Sequence, residues 1–371
     1  MYSIAYMFIW GKLSYFANDF KAWGIFYLIT LFILSCWITG IIFHRSFKFW
    51  LNLWMSIFLL VHILMGLEIY YRYIFDGSDD IFYLLTTRRW IQRHVQINGF
   101  GYRDDHFFQD KDDKELRLAV VGDSFTWGQG IENYQDRFSN ILGQKLAARC
   151  GEPNRVKTYN LAQPGENISN YLDELKRMNR FKFDGVIIGY YLNDIESGDS
   201  IRNKQYCYQD LFRYKNNKLA ASIIDSSYSI QYLWTRINSR FIFPKFNNAC
   251  YKDSIQSKFD DPEIWLKHLM TLKELFKYNQ NRNVKTVVAI FPFLNQIGPD
   301  YPAYEITTRI TKFLNENQIP YVDLTSAYSE YPAKNLIANP HDLHPSELAH
   351  KVAAEKLFEL LDGMKEFKCK I

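Results

Sequence analysis

Residues 118–130 read LAVVGDSFTWGQG, and the whole soluble part of the chain takes its meaning from them. An apolar run ends on Gly122-Asp123-Ser124, and an aromatic, a threonine and two more glycines follow. A strand that only had to reverse direction would be served by Asn-Gly or Pro-Asp. A small acidic-hydroxyl turn instead leaves a serine on display at the end of a buried strand.

From residue 116 onward the pattern alternates. Short β-branched runs occur at 116–121, 156–161, 185–192, 286–291 and 321–324. Helical-period segments lie near 137–149, 168–181, 262–280 and 304–317, and a last one runs from about 346 to 364. Asp261-Pro262 and Ser346-Glu347 have the look of helix starts. Near-continuous apolar strands separated by helices predict a parallel sheet covered on both faces. Right-handed crossovers then give an α/β fold, a three-layer α/β/α sandwich.

In open sheets of this kind the working groups collect at the carboxyl ends of the strands. The first strand is followed by Gly122-Asp123-Ser124 and the second by Asn160 to Gly165. The third is followed by Leu192-Asn193-Asp194, and His341-Asp342-Leu343-His344-Pro345 precedes the last helix. A hydroxyl, a glycine, an amide and an Asp/His pair are thus expected on one sheet edge. A serine hydroxyl becomes a useful nucleophile only when a base takes its proton and a partner orients that base. His344 suits the base and Asp342 the partner. Backbone N–H groups of Ser124 and Gly165 and the side-chain amide of Asn193 are candidate oxyanion donors. Gly165 fits because a residue without Cβ lets a substrate approach the backbone.

This ordered set of GDSF, a glycine after the second strand, Leu-Asn-Asp and a terminal Asp-His pair followed by proline resembles the SGNH (GDSL) hydrolase family. The likeness spans residues 116–364. It implies a flavodoxin-like SGNH fold and Ser/His/Asp ester chemistry with Ser124 as nucleophile. It also implies Gly165 and Asn193 in the oxyanion hole and His344 as base with Asp342 behind it; no cofactor is expected. Residues Asn98-Gly99-Phe100-Gly101-Tyr102-Arg103 resemble a segment that precedes the first strand in membrane-anchored members. One spacing departs from the family pattern, because Asp342 stands two rather than three residues before His344. That spacing resembles polysaccharide O-acetyltransferase relatives, and it leaves open whether Asp342 or a backbone carbonyl orients His344. His341 is the rival base, without a carboxylate at a matching offset. The GxSxG elbow of α/β-hydrolases is absent, since position 126 is Thr.

The first 75 residues have a different character. Residues 24–43 are an uncharged apolar run of about the ~20 residues a helix needs to cross a bilayer. A second run at 51–71 is broken by Asn52, His62 and Glu68. Together they predict a membrane hairpin, the alternative being one span followed by an interfacial helix. His44, Arg45 and Lys48 lie between the runs, whereas Glu68, Asp76, Asp79 and Asp80 end or follow the second. The positive-inside rule therefore places the link in the cytoplasm and both termini outside. The expected organisation is a tail at 1–22, membrane helices at 23–43 and 51–71, and a juxtamembrane connector at 72–115. The SGNH-like domain follows at 116–371, interrupted by an insertion at 195–260. Within the connector, residues 81–95 suit either a helix on the membrane surface or one packed on the domain.

The remaining composition narrows the field. Across 371 residues the net charge is only +4, which argues against a nucleic-acid binder and against an acidic tail. No CxxC, HExxH or Cys/His cluster points to a metal. Four soluble-side cysteines permit a Cys207–Cys250 or a Cys150–Cys369 pair, or scattered thiols. The aromatics Tyr206, Tyr208, Trp234 and Phe241 of the insertion, and residues 291–295, are candidate walls of a substrate site. The expected protein is an inner-membrane, outward-facing serine esterase or O-acyltransferase acting on a surface polysaccharide, with a multi-spanning partner delivering acyl groups. A non-catalytic subunit with the same fold and a cytoplasm-facing lipid esterase are the competing readings.

Overall fold

The computed structural model describes residues 32–36, 38, 48–80, 84–152, 155–196, 214–242 and 248–369. The sandwich is built on five parallel strands: β1 (Leu116–Gly122), β2 (Val156–Asn160), β3 (Gly185–Tyr191), β4 (Lys285–Phe291) and β5 (Tyr321–Asp323). Their spatial order is β2-β1-β3-β4-β5, so the chain steps outward from β1 in both directions. Its helices are α1 (Ser124–Trp127), α2 (Phe138–Arg149), α3 (Ile168–Arg177), α4 (Asn248–Asp260), α5 (Pro262–Gln280), α6 (Tyr304–Glu316) and α7 (Glu347–Asp362). α2 packs with β2 and α7 on one face, while α3 and α5 pack together on the other. Both faces being covered explains why β3 and the Leu118–Val121 part of β1 read as unbroken apolar runs. The three-layer architecture agrees with the alternation in the sequence.

The register between β1 and β3 places Gly122 opposite Gly189. A Cβ built on either would stand 2.0 Å from Thr126 Oγ1 in α1. The two glycines therefore let the helix carrying Ser124 settle directly onto the strand ends. A two-stranded antiparallel hairpin, β6 (Ile337–Asn339) with β7 (Asp342–Pro345), precedes α7.

The connector expected at 72–115 is not a mere spacer. Much of it belongs to the sandwich, because residues 77–80 and those of the connector from Thr87 onward group with that unit. Trp90, on the helix Leu85–His94, is buried with Trp127 and Ala162, which favours the packed reading of 81–95. Arg103, from the Asn98–Arg103 segment, lies over the rings of Trp90 and Trp127. It donates to the carbonyls of Gly128 at 2.5 Å and of Ile131. Asp104 accepts from Asn160 N at 2.8 Å and pairs with Arg137 at 3.1 Å. Arg103 satisfies two carbonyls and Asp104 the Asn160 N–H, and together these buried charges hold the loop behind Ser124.

The other unit contains the helix Lys48–Ile69, the wider turn Tyr70–Ile74 and residues 211–244 of the insertion. The stretch Asn52–Ile74 is long and apolar enough to cross a membrane, with a mean hydropathy of 1.8. Glu68 is no blemish in it. Its carboxylate pairs with Arg72 and accepts from Ser227 Oγ and from the backbone N–H groups of Tyr228 and Ser229. It thereby caps the helix Tyr228–Ile237, where negative charge meets exposed N–H donors. The insertion thus divides, since α4 belongs to the sandwich while Trp234 packs edge-on against Tyr214 in this unit. Most of the first apolar run, together with Tyr206, Cys207 and Tyr208, lies outside the described residues.

Of the two cysteine pairings, Cys150–Cys369 is formed and ties the end of α2 to the C-terminal segment. Arg149 reinforces that tie through Asp362 and the carbonyl of Phe367. The glycine contact gives the fold's most direct test. Gly189→Ala is expected to destabilise the full chain by about 1–3 kcal/mol, the usual cost of overpacking. Urea unfolding in detergent, followed by tryptophan fluorescence, measures it; wild-type stability would remove the proposed role of the Gly122–Gly189 pair.

Candidate active site

Ser124 is the first residue of α1. Asp123 caps that helix by accepting from Phe125 N at 2.9 Å. The serine N–H at this position has no intrahelical acceptor, so it points ahead of the helix as a donor. Asn160, closing β2, donates to Thr126 O and to Ser139 Oγ and accepts from Ala162 N. It locks the loop after β2 onto the serine helix.

His344 approaches from β7. Its Nε2 lies 2.8 Å from Ser124 Oγ and its Nδ1 2.5 Å from Asp342 Oδ1. The two-residue spacing follows from the strand, because residues i and i+2 of an extended segment share a face. Among the described residues, Nδ1 is met by carboxylate and not by a backbone carbonyl. His341, the rival base, is exposed and its backbone serves the turn, accepting from Asp80 N at 3.0 Å. His350 is a buried structural residue whose Nδ1 accepts from Phe138 N.

A second carboxylate was not anticipated from the sequence. Asp80 Oδ1 lies 3.0 Å from the same Nδ1, and its Oδ2 accepts from Leu343 N at 3.3 Å. The segment bearing it is fastened on both sides, since Asn339 Nδ2 donates to Ser78 O and Gln129 Nε2 to Asp79 O. Burial alone would pull the His344 pKa down. Asp342, by charge and hydrogen bond, and then Asp80 overrule it and raise the value to about 9. Only the acidic pair at 79–80 could have signalled this from the sequence, and it was read there as charge beyond a membrane span. The three groups Asp80, Asp342 and His344 lie close enough to hold a metal ion. The hydrogen bonds among them already give the histidine its orientation.

Ser124 and His344 open into a small cleft lined also by Asp80, Phe125, Tyr191 and Asn193. Leu294 and Asn295, from the stretch after β4, form another wall. Asn193 is held there by its neighbour Asp194, which accepts from Tyr171 Oη at 2.6 Å and from Tyr191 N. The Asn193 Oδ1 has no hydrogen-bond partner among the described residues. Gly165 is exposed, with φ of 81° in the turn between β2 and α3, and the residues named here as lining the cleft do not include it.

The profile of the GDSL-like Lipase/Acylhydrolase family matches residues 120–352, well over half of the chain. The protein belongs to this family. No curated protein sequence matches it. Similar solved structures include that of TesA, at 15% identity and a TM-score of 0.40, covering 66% of this chain and 98% of TesA. The lipase/acylhydrolase from Enterococcus faecalis has 15% identity and a TM-score of 0.37, with 67% and 96% of the two chains covered. A two-domain esterase active on acetylated mannans, co-crystallised with mannopentaose, has 15% identity and a TM-score of 0.40, with 67% and 49% covered. This GDSL-like acylhydrolase is accordingly an enzyme of serine ester chemistry.

The doubled carboxylate makes a pH prediction. A base must be neutral to accept a proton, so a raised pKa moves activity to higher pH. For a neutral ester, kcat/KM should rise with pH and be half-maximal near the His344 pKa of about 9, levelling off above it. Asp80→Asn removes a charge that stabilises the imidazolium, so the midpoint should fall to lower pH. An unshifted midpoint in a folded variant would mean that Asp80 does not act on His344.

Proposed function

We propose that the protein is a membrane-anchored, outward-facing enzyme that adds acyl groups to, or removes them from, the hydroxyls of a surface carbohydrate. The observation that carries this reading is the chain of contacts from Ser124 Oγ through His344 to Asp342 inside a cleft that also holds Asn193. In the proposed reaction His344 Nε2 takes the Ser124 proton as Oγ attacks the acyl carbonyl. The oxyanion forms against the Ser124 N–H and the Asn193 amide. Collapse expels the alcohol, which leaves with the proton from His344, and an acyl-Ser124 remains. Water or a sugar hydroxyl then attacks that acyl group, again with His344 as base. Asp342 and Asp80 hold the ring and stabilise the imidazolium.

The anchor rests on the apolar helix through Ile74 and on the first apolar run. The outward orientation is supported by the basic link between the two runs and by the Cys150–Cys369 disulfide, which suits an oxidising compartment. A carbohydrate substrate is favoured by the two-residue Asp-His spacing and by the aromatic rings of Tyr191 and Phe125 beside Ser124. Transfer rather than hydrolysis would need a multi-spanning partner to carry acyl groups across the bilayer.

The test uses the full chain in detergent with acetylated oligosaccharides, reading acetate release and the loss or gain of acetyl groups by mass. Ser124→Ala should lower either rate by about 10³-fold or more. Neither release nor transfer by a folded chain, alone and reconstituted with its membrane fraction, would overturn the reading in favour of a non-catalytic subunit.

A further inference from the structure

The wall of the cleft opposite the strand ends contains a cation that the ester chemistry leaves unused. Lys252 comes from α4, inside the insertion, and lines the same cleft as Ser124, Asn193 and His344. Its Nζ donates to Asn295 Oδ1 at 2.9 Å and lies 5.3 Å from the centre of the Phe293 ring. The Phe293 backbone is itself fixed by Tyr301, whose hydroxyl accepts from Phe293 N at 2.9 Å. The lysine is therefore seated on a rigid wall.

No carboxylate among the described residues forms an ion pair with it, although Lys258 on the same helix pairs with Glu196. Asp80 lines the cleft too, but its oxygens serve His344 and Leu343 N. Burial lowers the Lys252 pKa to about 8, which still leaves it mostly charged at neutral pH. A half-buried ammonium with one neutral acceptor retains two N–H donors and an uncompensated charge.

We propose that Lys252, oriented by Asn295, is an anion-recognition subsite of this cleft, selecting acyl esters that carry a carboxylate or phosphate beside the scissile bond. The inference rests on the reading of Ser124 as the acyl-accepting group. It makes the preferred substrate an acidic carbohydrate, such as one built from uronic acids or bearing phosphate. Lys252 would contact substrate without taking part in the proton transfers.

The experiment compares kcat/KM of the full chain on acetyl esters of a neutral oligosaccharide, of a uronic-acid oligosaccharide and of a sugar phosphate. Wild type should prefer one or both acidic esters, and which one identifies the source of the charge. Lys252→Met should reduce the acidic-to-neutral ratio by about 10-fold or more, as expected for loss of a desolvated charge pair. Asn295→Asp should lower the same ratio while keeping the lysine, because the new carboxylate occupies the cation. An unchanged ratio in both variants, or an equal loss on all three esters, would overturn the proposal while leaving the ester chemistry standing. Hydrolysis of none of them would instead count against the reading of Ser124. Calorimetry of deacetylated uronic-acid oligomers and of the unacetylated sugar phosphate with Ser124→Ala then decides the subsite alone: binding that Lys252→Met abolishes supports it, and binding indifferent to Lys252 refutes it.

Discussion

A single hydrogen bond, between Ser124 Oγ and His344 Nε2, joins residues separated by 220 positions, and the architecture is organised to keep that bond short. On one side the parallel register of β1 and β3 brings two glycines together and seats the serine helix on the strand ends. On the other, a hairpin strand turns Asp342 and His344 to the same face. Buried polar groups tie the two sides. Asn160, Arg103 and Asp104 fix the loops around the serine, while Ser78 and Asp79 are held by Asn339 and Gln129. Orientation of this kind is what converts a hydroxyl into a nucleophile.

Two opposing electrostatic effects meet at His344. Burial disfavours the imidazolium, and two carboxylates at one ring nitrogen favour it more strongly. The result is a basic imidazole whose charged form, created when it takes the serine proton, is well stabilised. The corresponding cost is that the resting ring holds a proton at neutral pH. Because Asp80 comes from the segment after the apolar helix, a residue beyond the conventional limits of the domain sets this balance.

Much of this was legible in the sequence, and the reasons are physical. The centres of β1, β3 and β4 are buried on both faces and read as apolar runs, and all five strands lie within a residue or two of the runs expected from the sequence. Ser124, Asn193, Asp342 and His344 were legible because each stands at a strand end or in a hairpin, where local chemistry shows in three or four letters. Gly165 carried the same kind of signal; it lies exposed in the turn after β2, and its part in the oxyanion hole stands as an expectation. Asp80 and Lys252 were not seen, because each reaches the cleft through long-range packing from a segment with no motif of its own. Of the insertion's aromatics, Trp234 belongs with residues grouped around the apolar helix, Tyr206 and Tyr208 lie outside the described residues, and among the described residues of the insertion α4 supplies the cleft with Lys252. Glu68 looked like an interruption of a span and proves to be a helix cap.

Whether Ser124 is an activated nucleophile is the point on which everything functional depends. The most direct measurement is fluorophosphonate labelling of the detergent-purified full chain, with the adduct mapped by mass spectrometry in wild type, Ser124→Ala and His344→Ala. A single adduct on Ser124, lost in both variants, is the expected result. A folded wild-type chain that takes no label, or takes it on another serine, would contradict the assignment.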